Sequence, residues 1–104
     1  MSQRRVIDLQ ALWDAATQAP GLLEAIRRWC RQNAIDPNDV PVPSEIVIED
    51  SAFGLVIRYD AYLSDKDGRR YVDPEHPDRA AMAERTAVLV TAPPYEWTHG
   101  GEAP

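Results

Sequence analysis

The sequence predicts an α+β domain: an N-terminal helical pair packed on a three- to four-stranded antiparallel β-meander. Three observations carry that expectation. Apolar residues recur at helical spacing as far as Asn33, prolines crowd residues 37–43, and beyond them apolar and polar residues alternate with a period of two. A chain of 104 residues suffices for one such domain, expected over 1–98, with 99–104 as a loose C-terminal tail.

The helical part comes first. Over 6–17, Val6, Leu9, Leu12, Trp13 and Ala16 share an arc of about 120° at helical pitch. Ile7 lies off that stripe, which leaves an extended start open. Pro20-Gly21 interrupts the pattern, and Pro suits a first helical turn, where its missing N–H has no partner. Over 20–33 the signal is stronger. Leu22, Leu23, Ala25, Ile26, Trp29 and Cys30 fill an arc of about 160° opposite Glu24, Arg27, Arg28, Arg31 and Gln32. Trp13 and Trp29 fall inside these stripes and are expected in the core. Three prolines within residues 36–43 exclude a further helix and imply an extended connector whose Val40 and Val42 touch the core.

The period then changes. Ile46 and Ile48 alternate with Glu45, Val47 and Glu49. Phe53, Leu55, Ile57, Tyr59, Ala61 and Leu63 alternate with Val56, Arg58, Asp60 and Tyr62, so the first set is expected inside and the second outside. Asp50-Ser51-Ala52 and Asp65-Lys66-Asp67-Gly68 supply turns. A third strand is expected over 69–72, a short helix capped by Asp78 over 79–84, and a β-branched fourth strand over 86–91, stopped by Pro93-Pro94. Trp97 is expected to fold back onto the domain.

Composition narrows the function. Lys and Arg total 11 against 17 Asp and Glu, a formal net charge of -6. Residues 1–40 are balanced, and the acidic excess lies in 41–104. Such a surface repels phosphate backbones and suits a basic protein partner. The single Cys30 excludes an intramolecular disulfide and reads as a small buried hydrophobe. No apolar run is long enough to span a membrane, and no secretory h-region follows Arg4-Arg5, so a cytoplasmic location is expected.

Motifs for chemistry are missing. Aligning Gly68 with the invariant glycine of a calcium loop puts Asp65 and Asp67 at ligand positions but Leu63 and Pro74 at two others. His76, His99 and Cys30 have no metal-ligand spacing. The serines lie outside any Gly-x-Ser-x-Gly elbow, and no glycine-rich phosphate loop occurs. No catalytic residue, cofactor or metal is therefore expected. The expected function is that of a non-catalytic, acidic interaction module, of the kind met in small accessory proteins of bacteria or their phages. It would bind another protein, or a second copy of itself, through a sheet face or edge, with Arg58, Asp60 and Tyr62 on the outward face. The alternative is a nucleic-acid-binding regulator using the ridge Arg27, Arg28 and Arg31, which the net charge disfavours.

Overall fold

The computed structural model describes residues 4–100. In chain order the elements are β1 (Arg4–Asp8), α1 (Leu9–Ala16), α2 (Leu22–Gln32), β2 (Glu45–Ser51), β3 (Gly54–Tyr62), β4 (Val72–Asp73), β5 (His76–Ala80), β6 (Met82–Val88) and β7 (His99–Gly100). Short 3-10 turns occupy Pro37–Asp39 and Tyr95–Trp97. The main sheet is antiparallel and five-stranded, ordered β6-β3-β2-β1-β7, and β4 and β5 form a separate two-stranded hairpin. The α+β expectation holds, with the helical pair placed between β1 and β2.

The strand count exceeds the expected three or four because both ends of the described chain join the sheet. Residues 4–8 are extended, not the start of a helix. Val6 and Ile7 are consecutive and both buried, at 4% and 1% exposure, which a central strand achieves by sending them to opposite faces. Asp8 then ends β1 and caps α1, its carboxylate accepting the Ala11 N–H at 3.1 Å. At the other end, His99 and Gly100 of the expected loose tail pair with Val6 and Arg5. Arg5 secures that pairing: its Nε donates to Thr98 Oγ1 at 2.9 Å, and its guanidinium lies 4.3 Å from the centre of the Tyr95 ring. The rest of the expected tail, 101–104, lies outside the described residues.

Two further expectations are corrected. Residues 79–84, read as a short helix, are extended: 79–80 end β5, 82–84 open β6, and Ala81 lies between them. Their alanines favour a helix locally, but they offer no bulky stripe for it to bury. The β3 ladder, running from Val56↔Val88 to Tyr62↔Met82, supplies cross-strand hydrogen bonds instead. The fourth strand is therefore Met82–Val88 and not 86–91. Likewise, 69–72 contributes only the Ser64↔Arg70 bridge and the start of β4. Asp73-Pro74-Glu75-His76 turns the chain into β5. There the Asp73 carboxyl is held below its usual range, first by the Glu75 backbone N–H and then by His76.

The core lies between one sheet face and the helices. Ile7 pairs with Ile46, Ile48 with Ile57, and Ile57 with Ala87, and this row packs under Leu9, Ile26, Trp29, Cys30, Ile35 and Val40. Val40 meets the expectation of a core contact. The alternation of β3 holds at Ile57, Tyr59 and Ala61, but Phe53 sits exposed at the hairpin tip and Leu55 is partly open. Trp13, expected in the core, is 36% exposed.

Asn33 joins the helical layer to the C-terminal segment. It is 1% exposed. Its Nδ2 donates to Trp29 O and Thr91 O at 2.9 and 3.0 Å, and its Oδ1 accepts the Val90 and Thr91 N–H groups at 2.8 and 2.9 Å. The Trp29 indole N–H also donates to Thr91 O, at 2.8 Å, and its ring meets Trp97 edge-on at 6.4 Å. Trp97 thus folds back onto the domain. Helix α2 closes in a Schellman motif, with Ala34 N–H on Arg31 O and Ile35 N–H on Cys30 O. Ala34 takes the left-handed position, φ 60°, where glycine is favoured.

Asn33→Ala leaves two backbone N–H groups and a helix carbonyl short of partners, and should cost about 3 kcal/mol or more, read as a lower urea midpoint. Ala34→Gly relieves the left-handed strain and should raise stability by about 0.5–1 kcal/mol, read as a higher Tm with an unchanged circular dichroism spectrum.

Candidate functional site

Among the described residues, strand β6 is an edge, paired with β3 and with no second neighbour in the sheet order. Its register fixes which backbone groups are free. Leu89 N–H donates to Leu55 O at 3.0 Å and Leu63 N–H to Ala81 O at 2.9 Å, so the odd-numbered residues of β6 face β3. The N–H and C=O groups of Met82, Glu84, Thr86 and Val88 consequently point away from the sheet. Met82 and Val88 are exposed, at 42% and 63%. Beyond Val88 the free edge ends, because Asn33 takes the Val90 and Thr91 N–H groups.

The sheet face away from the helices is charged. Arg4 pairs with Glu49 across β1 and β2, Val47 with Arg58, and Asp60 with Glu84. Arg58 bridges Glu49 and Glu84, with Nη2 to Glu84 Oε1 at 3.2 Å. The Glu49 hydrogen bond, followed by the charges of both carboxylates, holds the Arg58 proton more tightly than usual. A concavity of about 290 Å³ on this face is lined by two arginines, Arg4 and Arg58, against four carboxylates, Glu45, Glu49, Asp60 and Glu84. This is the outward acidic face that the alternation implies, and Arg58 and Asp60 are on it.

Tyr62 is elsewhere. At the last position of β3 it carries the Arg70 guanidinium at 4.2 Å from its ring centre. It lines a second concavity, of about 300 Å³, with Leu9, Trp13, Ile26, Arg27 and Val40. The ridge on α2 is therefore divided. Arg27 is half-buried along this groove, Arg28 is exposed, and Arg31 makes a salt bridge to Glu24 at 3.5 Å. The structure brings Tyr62 to Arg27, and Arg58 to Asp60, but does not gather the candidates into one site. Sequence reasoning missed Arg70, whose Nη2 donates to Asn38 O across the fold. Its place follows from the 65–68 turn carrying the chain back toward the connector, a contact between residues far apart in sequence. The free edge of β6 was not located because 79–84 read as a helix and the strand as 86–91, whereas β6 is Met82–Val88.

Among the described residues, no group of three His, Cys, Asp or Glu side chains could hold a metal ion, and no helix is long and apolar enough to cross a membrane. Cys30 is buried, and that burial pushes its thiol up from 9.0 to about 11. Comparison with protein families, with characterised proteins and with solved structures finds no match.

The folded chain keeps the Cys30 proton to about pH 11, whereas the unfolded chain loses it near 9.0. Its contribution to stability is thus complete below the lower value and is lost as the pH rises through the higher, by at most about 3 kcal/mol. Alkylation with iodoacetamide at pH 8 should be slow in buffer and rapid in urea. Urea midpoints should fall between pH 9 and 11 in the parent more than in Cys30→Ala.

Proposed function

We propose that this protein is a non-catalytic interaction module that associates by strand addition at β6, with a second copy of the chain as its partner. The free edge carries the reading. Four successive outward positions offer unpaired donors and acceptors, and an extended strand can satisfy them all.

The side chains of β6 restrict how two copies pair. A two-fold axis at Glu84 sets glutamate against glutamate, and one at Arg85 sets arginine against arginine; like charges directly opposite are destabilising. An axis at Thr86 sets threonine against threonine and Glu84 against Val88. Two sheets joined in that register would form one continuous antiparallel sheet, bringing the two acidic faces side by side. Such a surface suits a basic segment of a further protein.

Light scattering on a sizing column should show a dimer that dissociates on dilution. Thr86→Pro removes an N–H that faces away from β3, so the fold should persist while the dimer is lost. A chain that stays monomeric at millimolar concentration, or a dimer indifferent to Thr86→Pro, would overturn the proposal.

A further inference from the structure

The groove between the helices and the proline-rich connector differs from the acidic sheet face. The chain carries 17 acidic residues against 11 basic ones, yet among the described residues no carboxylate lines this groove. Its charged residues are Arg27 and Arg70. Among the described residues neither arginine makes a salt bridge, although other arginines of the chain do. Arg27 is half-buried and has no hydrogen-bond partner among those residues, which leaves its guanidinium N–H groups to donate. Arg70 is oriented by the Asn38 carbonyl and the Tyr62 ring, which leaves other guanidinium N–H groups to donate. Between the arginines the lining is apolar, with Leu9, Ile26 and Val40 at the bottom and the partly open Trp13 at the side.

We infer that this groove binds an acidic peptide segment, which seats one bulky apolar side chain among Trp13, Ile26 and Val40 and offers a neighbouring carboxylate to Arg27 and Arg70. Charge complementarity commits the occupant to an anion, and arginine pairs well with a carboxylate through parallel N–H donors. The apolar lining demands an apolar group beside that anion. The volume, about 300 Å³, matches one anchoring side chain with its flanking backbone. A nucleic acid would meet the acidic surroundings along its whole backbone, whereas a carboxylate seated here is screened at ordinary salt from acidic groups more than about 10 Å away. This site is separate from the β6 edge and stands or falls independently of the dimer.

The probe is an acetylated, amidated peptide Glu-Glu-Leu-Phe-Glu-Glu, which contains no tryptophan. Titration should give a saturable change in tryptophan emission that disappears in Trp13→Phe, and amide shifts centred on Ile26, Cys30 and Val40. Arg27→Gln, a change on a half-buried helix surface, should weaken binding tenfold or more while leaving the circular dichroism spectrum unchanged. Replacing the peptide glutamates with glutamine should weaken it similarly, and Thr86→Pro should leave it unaltered. Absence of saturable binding, equal binding by Arg27→Gln, or shifts mapping to the acidic sheet face would overturn the inference. Tighter binding of decanoate than of the peptide would also overturn it, in favour of a small amphiphile.

Discussion

The side-chain amide of Asn33 ties the end of α2 to the segment that follows β6. It is fully satisfied, giving two hydrogen bonds and accepting two, and its partners come from both halves of the fold. A buried amide with that many partners is expensive to leave half-made, so the end of α2 and residues 90–91 are fixed together or not at all. Trp29 reinforces the junction from one turn earlier by donating to the same Thr91 carbonyl. The C-terminal segment is then delivered to Trp97, to the Arg5–Thr98 contacts and to β7. The same amide limits the surface that remains for partners. By consuming the Val90 and Thr91 N–H groups it ends the free edge of β6 at Val88.

Where a residue's neighbours along the chain decide its environment, the fold was legible. The stripe of α2 needs only helical spacing, and the alternation of Ile46–Ile48 and Ile57–Tyr59–Ala61 needs only strand spacing. Both correspond to elements in the structure. Legibility failed where distant partners decide. Val6 and Ile7 are both buried because β1 lies inside the sheet and sends them to opposite faces, and a run without alternation looks like part of the next helix. Residues 79–84 are alanine-rich, and only cross-strand pairing, with β4 at Ala80 and with β3 from Met82 onward, holds them extended. Asn33 passed for an ordinary helix end, since nothing local announces that residues 90–91 return to it. Candidate site residues divide in the same way. The outward position of Arg58 and Asp60 follows from parity. The meeting of Arg27, Tyr62 and Arg70 depends on a helix, a strand end and a turn arriving at one place.

Charge is segregated more finely than the sequence halves suggest. The balanced first part supplies Arg27 to the groove and Arg4 to the acidic face, while the acidic second part supplies Arg70 to the groove. On the open face, Arg58 sits between two glutamates on its neighbouring strands, and exposed ion pairs of that kind contribute about 0–1 kcal/mol each. Their larger effect is on register. A one-residue slip of β3 would move Arg58 into the isoleucine layer and leave Glu49 and Glu84 facing each other without it.

The charged middle of β6 bears on the edge in a related way. Exposed strand edges invite indiscriminate pairing, and charged side chains are a usual defence against it. Glu84 and Arg85 serve that defence in every register that sets like against like. They oppose an approaching strand through its side chains, however, and leave the outward N–H and C=O groups of Met82, Glu84, Thr86 and Val88 unblocked. No proline occupies β6, and it carries no irregularity in its pairing with β3. An edge defended by charge but not by backbone rejects most partners and accepts those whose side chains complement it. That combination is what the proposed strand addition at β6 requires.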